Sequence, residues 1–177
     1  MQRKSEIITV DGSKSEIVEV AWSKRPDDLR FATLGPKEIN FWHPADVTKK
    51  LSIKGTLQKA PATLLNCFTF DEEGWCYTGN ENGLIYVWSN DCVVVKTIKA
   101  HSSTVTAISS EGNKLISGSK DKIAIVSIAT GGVYKLEKLI DLGVILNLNL
   151  PLVVPKSVDF FNGNLLVGLR NGTIIDL

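Results

Sequence analysis

One pattern recurs along this chain of 177 residues, and its recurrence constrains the fold more than any other feature. Gly79-Asn80-Glu81-Asn82-Gly83-Leu84-Ile85-Tyr86-Val87-Trp88 aligns without gaps on Gly118-Ser119-Lys120-Asp121-Lys122-Ile123-Ala124-Ile125-Val126-Ser127. A third copy runs from Gly168 to Leu177, and an earlier one, from Gly35 to Trp42, is two residues shorter. Each copy is an alternating strand, a polar turn carrying Gly, Asn or Asp, and a second alternating strand, which is the signature of a β-hairpin. The copies end at 42, 88, 127 and 177, separated by 46, 39 and 50 residues.

That spacing is close to the roughly 40–45 residues of one four-stranded propeller blade. Further β-rich runs precede the hairpins, at 16–22, 64–70, 105–109 and 157–161, and outer strands are expected at 92–98 and 133–140. Together they supply four strands, a to d, per blade. Six prolines and fourteen glycines punctuate the chain, and almost no segment sustains an apolar helical period. The sequence therefore predicts an all-β propeller of about four blades of four antiparallel strands, near 16–60, 61–99, 100–141 and 155–177, with 5–10 an additional outer strand. A sandwich also has evenly spaced short strands, but it does not explain one turn motif recurring at blade length.

Composition narrows the function. Twenty Lys and Arg against nineteen Asp and Glu leave a formal net charge of +1, which gives no general pull toward nucleic acid or an anionic membrane. Lys49, Lys50, Lys54 and Lys59 cluster without an interleaved aromatic residue to stack bases, so they read as a solvated connection. Cys67, Cys76 and Cys92 are odd in number and lack C-x-x-C spacing, so they are read as reduced, buried thiols rather than disulfides or zinc ligands. No apolar stretch follows the basic N-terminal residues as in a secretory signal, and a cytoplasmic, reducing setting is expected. The run from Leu142 to Pro155, interrupted by Asn147, Asn149 and Pro151, is too short to cross a bilayer and reads as a buried strand leading into a loop. Phosphate-binding glycine loops and Gly-x-Ser-x-Gly are absent from the sequence, and no cofactor or metal is expected.

The third copy carries His101 ahead of strand a, Ser117 on strand b and Asp121 in the b–c turn. This set resembles the buried hydrogen-bond relay of WD repeats, which ends on a Trp; by the gapless alignment the Trp position here is Ser127. The second copy keeps Trp88 and has Asn82 in place of the Asp, and the first keeps Trp42, so Trp42 and Trp88 read as blade anchors. A His, a Ser and an Asp in one blade also suggest a hydrolase, but the repeat accounts for all three positions. His43 reads as a loop residue, and Glu72 and Glu73 as solvated turn charge.

Phe31-Ala32-Thr33-Leu34-Gly35 followed by Ile39-Asn40-Phe41-Trp42 is narrower than a generic WD repeat. It resembles the Phe-x-Thr-x-Gly…Phe-Trp block of the echinoderm microtubule-associated protein-like family. In order along the chain follow Lys49-Lys50 with Gly55-Thr56-Leu57, then Leu65-Asn66-Cys67-Phe68-Thr69-Phe70, Thr78-Gly79, Val87-Trp88, Ala100-His101 and Leu115-Ile116-Ser117-Gly118. The resemblance implies a non-enzymatic scaffold that engages tubulin or other cytoskeletal proteins, and the count of four sheets, against the roughly seven common in WD-type rings, leads to the expectation that the chain is part of a larger propeller. Loops at one face, with Lys37, Asn80, Glu81, Lys120 and Arg170, are the expected partner-binding surface. Self-association through open blade flanks is a second expectation. The alternative is a propeller enzyme or small-ligand receptor using the central channel, for which Glu19 and Asp159 are the nearest acids.

Overall fold

The computed structural model describes residues 15–43, 52–120, 122–129, 131–147 and 153–177. The expected strand at 5–10, Lys49, Lys50 and Asp121 lie outside the described residues.

Four antiparallel sheets follow one another in chain order, and each is a meander whose strands pair in the order they are made. The first holds β1 (Glu19–Trp22), β2 (Phe31–Gly35), β3 (Glu38–Trp42) and β4 (Ser52–Lys54). The second holds β5 (Leu65–Phe70), β6 (Cys76–Asn80), β7 (Leu84–Trp88) and β8 (Val94–Lys99). The third holds β9 (Val105–Glu111), β10 (Lys114–Ser119), β11 (Lys122–Ala129) and β12 (Val133–Asp141), and the fourth β13 (Pro155–Phe161), β14 (Asn164–Leu169) and β15 (Ile174–Asp176). The first strands of successive sheets, β1, β5, β9 and β13, pack on one another and so form the inner edge of the array. This is the predicted all-β propeller arrangement.

The cores lie between sheets rather than within them. Ala32, Leu34, Ile39 and Phe41 of the first sheet meet Phe68, Phe70, Tyr86 and Trp88 of the second. Tyr77, Ile85 and Val87, on the other face of that second sheet, meet Val105, Leu115, Ala124 and Val126. Ile116 and Ile123 then turn the opposite way and meet Val158, Leu165 and Val167 of the fourth. Because side chains alternate across a strand, a central strand that is buried at every position fills two seams at once. β6 and β10 show this directly, being buried along nearly their whole length.

Register revises the sequence alignment. Trp42 pairs with Phe31 and Trp88 with Cys76, whereas in the third sheet the equivalent pair is Leu115 with Val126. Gly79 pairs with Ile85 and Gly118 with Ile123, so the third hairpin is one residue shorter between equivalent pairs. Val126, fully buried, therefore stands in the place read from sequence as Ser127; Ser127 lies one position on and donates from Oγ to Lys135 O at 3.3 Å.

The segment after β12 is a second correction. Where a buried strand was expected, Leu142–Leu146 is a short helix, α1. The Asp141 carboxylate accepts from Val144 N at the start, and Asn147, at φ 49°, closes the end in the left-handed conformation that Asn tolerates. Leu142 is its buried residue, while Val144 is 77% exposed.

The recurring glycine marks where blades touch. A Cβ on Gly79 would stand 2.5 Å from Val105 Cγ1, and one on Gly118 would stand 2.7 Å from Pro155 Cβ, each on the inner strand of the next sheet. At Gly168 the same atom would meet only the Ser157 side chain, whose hydroxyl can rotate away. Gly79→Ala should therefore destabilise the fold by about 1–3 kcal/mol, the usual range for overpacking. Gly168→Ala should cost clearly less, and urea unfolding of the two variants checks the order.

Candidate functional site

Two kinds of polar anchor hold the central strands, and no described blade combines both. In the first and second sheets the Trp42 and Trp88 indoles donate from Nε1 to Thr33 Oγ1 and Thr78 Oγ1, each at 3.0 Å and each buried. In the third, His101 Nε2 and Ser117 Oγ share a hydrogen bond of 2.8 Å. The His101 backbone N–H also donates to Gly83 O at 3.0 Å, so one residue ties the b–c turn of the second blade to strand b of the third. Gly83 has φ +78°, and a Cβ there would lie 2.4 Å from His101 O; both facts require glycine. Burial pushes the His101 pKa down to about 4, against an opposing contribution from Ser117.

The residues expected at the partner face divide. Lys37, Glu81, Lys120 and Arg170 are exposed, one on the b–c connection of each successive sheet, so they share one side of the array. Asn80 is not among them, which corrects its assignment to the surface. It is fully buried, and its Oδ1 accepts from Asn82 N at 2.9 Å and Leu84 N at 3.0 Å. Asn80, not Asn82, fixes that turn, by the short side chain's reach to backbone N–H groups two and four residues on. Glu81 accepts from Thr63 Oγ1 and from Leu64 N, linking the turn to the segment entering β5. Beside this face a cavity of about 540 Å³ is bordered by Lys99, Lys120, Lys122, Ser102 and Ser119. Lys54, from the basic cluster, instead pairs with Glu38 at 2.6 Å.

On the opposite side of the array lie contacts that the sequence did not single out. Arg30, only 8% exposed, donates through Nε to Asp28 and through Nη2 to Asn90 Oδ1 at 2.8 Å and Gly74 O at 3.3 Å. It thus spans the first seam and binds two turns of the second blade. Burial disfavours the Asp28 carboxylate, but hydrogen bonds and charge from Arg30 outweigh that and hold it at about 2. Asp71 organises the β5–β6 turn, accepting from Glu73 N, Trp75 N and the Tyr77 hydroxyl, the last at 2.7 Å. Burial raises its pKa against those bonds. An Asp followed at short range by Arg or by backbone donors is too common a pattern to have marked either cluster.

The two acids expected at the channel, Glu19 and Asp159 on the inner strands β1 and β13, are engaged with protein groups. Glu19 accepts from Phe68 N at 3.0 Å, and Asp159 accepts from Ser109 Oγ and Phe160 N. Among the described residues no group of three His, Cys, Asp or Glu side chains converges as a metal site would require. The three cysteines are free and buried, and burial pushes their thiols upward, away from the thiolate a nucleophile needs.

A folded-state pKa near 4 for His101, below the 6.5 of an exposed imidazole, means that the unfolded chain takes up the proton first as pH falls. The neutral histidine's contribution is complete above about pH 6.5 and is lost progressively toward about pH 4, by up to about 3 kcal/mol. His101→Gln should remove this part of the pH dependence, so the stability difference between variant and parent should shrink between pH 7 and pH 5. Urea midpoints at both values measure it.

Comparison with known proteins agrees with this architecture. The family described as WD domain, G-beta repeat, matches residues 92–126, which run from the outer strand of the second blade into strand c of the third. A ciliary WD repeat-containing protein, ctxp80, of Euplotoides octocarinatus is 37% identical over 164 residues, covering 91% of this chain. The chain spans 21% of that relative's length. Among solved structures, the computationally designed Ika4 protein superposes with a TM-score of 0.71 at 18% identity, covering 98% of both chains. The WD40 β-propeller domain of Doa1 gives 0.68 at 20% identity, covering 92% of this chain and 51% of that one. A WD-type repeat match lying within four successive antiparallel sheets, together with these relatives, identifies the chain as a WD40-repeat protein with the fold of a WD propeller.

Proposed function

We propose that this chain is a non-enzymatic, cytoplasmic protein-interaction scaffold with a cytoskeletal partner, tubulin foremost, and that the b–c connections form its contact face. WD40 domains are in general protein-interaction platforms, and the observation that carries this reading is the placement of Lys37, Glu81, Lys120 and Arg170. Each stands exposed on the b–c connection of one of four successive sheets, where a single partner surface can meet all four. Three cations to one anion favour an acidic surface on that partner. The identity to a ciliary protein supports the cytoskeletal part, since cilia are built on microtubules. The central-channel enzyme has less support, because Glu19 and Asp159 are each bound to protein donors. Co-sedimentation with polymerised tubulin tests the proposal: binding that falls with salt and drops about fivefold or more on joint Lys120→Glu and Arg170→Glu substitution is the expected result. Failure of the parent chain to retain tubulin would remove the cytoskeletal partner and leave the scaffold.

A second reading, self-association, rests on apolar exposure at the first and last sheets. Alternation along β1 turns Ala21 toward the second sheet and Val20 and Trp22, 62% and 60% exposed, away from it. In the fourth sheet Leu166 and Ile174, 48% and 72% exposed, likewise face away from the core that Leu165, Val167 and Ile175 fill. Burying these flanks against a second copy removes apolar surface from water. Light scattering should show a concentration-dependent dimer that Trp22→Ser combined with Ile174→Ser returns to monomer. A parent chain that stays monomeric at every concentration would exclude this reading.

A further inference from the structure

We propose that the cleft between the second and third blades, on the side opposite the b–c connections, receives an arginine side chain from an extended segment of a partner protein. The cleft has a volume of about 860 Å³ and is bordered by the β5–β6 turn, the start of β8 and the β11–β12 turn. Half-buried Trp75 and Tyr134 form part of its wall, and Val87 and Ile128 supply an apolar floor. Glu72 and Glu73 stand exposed at its edge, beside Asp71. Asp71 is committed to its own turn and to Tyr77, which leaves the two glutamates to meet an incoming charge.

A cation already rests there. Lys96 Nζ lies 5.1 Å from the centre of the Tyr134 ring and donates to Gly132 O at 3.2 Å. The chain's own ammonium thus shows that the ring face and the carbonyl beside it accept positive charge. Lys96 is exposed, so a stronger cation can displace it. A guanidinium has that advantage: it is less tightly hydrated than an ammonium, lies flat on an aromatic ring and pairs with carboxylates through two parallel N–H bonds. Three carboxylates to one lysine also leave the cleft with a negative balance before anything enters. An extended backbone suits the site because the cleft is open along the seam between two sheets.

The test uses the full chain and the peptide acetyl-Gly-Arg-Gly-Arg-Gly-amide, with the same peptide carrying Glu in place of Arg as control. The readout is the Trp75 indole N–H signal in NMR, assigned through Trp75→Phe. The expected result is a saturable shift with the arginine peptide alone. Glu72→Gln with Glu73→Gln should weaken binding about tenfold, Tyr134→Leu about threefold, and Lys96→Ala should tighten it. No saturable shift, an equal shift with the glutamate peptide, or unchanged affinity in the Glu72→Gln, Glu73→Gln chain would overturn the proposal. That double variant alters only exposed turn side chains, so the test stands even where Tyr134→Leu fails to fold.

Discussion

Burial of both faces of the central strands is the constraint on which the rest of this structure depends. A blade here has no private core: Tyr77 and Ile85 fill one seam while Cys76 and Tyr86, on the same two strands, fill the other. Stability is then carried by nearest-neighbour seams, as in other repeat architectures. Most polar groups brought inside find a partner across or along a seam, Asn66 Nδ2 and Asn80 Nδ2 being exceptions among the described residues. Arg30 with Asn90, Glu19 with Phe68 N, His101 with Ser117 and Ser110 with Phe70 O all do so, and all but His101 with Ser117 cross between blades. Even His101 crosses through its backbone bond to Gly83.

The same constraint explains why the polar anchors differ from blade to blade. Trp88 at the end of strand c fills the seam and brings its own donor, so Thr78 suffices as acceptor, and Trp42 makes the same bond to Thr33. The third blade has Val126 there, which supplies neither the volume nor the N–H. Its Ser117 is completed instead by His101 from the connecting loop, and the missing volume is met by Tyr77, Trp75 and Tyr134, all packed on that seam. Tyr77 and Tyr134 stand edge-to-face at 6.2 Å, a favourable aromatic geometry. The aromatic mass on this seam is thus carried by Trp75, Tyr77 and Tyr134, and Trp75 and Tyr134 also line the cleft beside it.

What the sequence disclosed follows from which signals are local. The hairpins were legible because strand alternation and turn glycines lie within ten residues of each other, and the outer strands because their patterns resemble those of their equivalents. The slip between Trp88 and Val126 was not, since a turn shortened by one residue leaves a gapless alignment looking equally good. Asn80 was misjudged for a related reason: in a polar turn several side chains look alike, and only the fold shows which one reaches inward. The helix at Leu142–Leu146 hid inside an apolar run, although Asp141 and Asn147 were both visible as capping residues. Arg30 carried no signal, because its partners Gly74 and Asn90 are far away in sequence.

The near-neutral net charge conceals an asymmetry that the fold creates. Lys99, Lys120 and Lys122 gather around the cavity at the b–c side of the seam between the second and third blades, and Asp141 offsets Lys122 only at 3.7 Å. At the other side of the same seam Asp71, Glu72 and Glu73 collect around the aromatic cleft, with Lys96 the cation among its lining residues. Two clusters of opposite sign at the two ends of one seam give the chain a polarity that its total of +1 does not express. With a Debye length of about 8 Å at physiological salt, each cluster acts on a partner within its own reach, with little cancellation by the other. An acidic surface and a basic segment can then bind the two sides independently, each held by loops whose positions the shared seam keeps fixed.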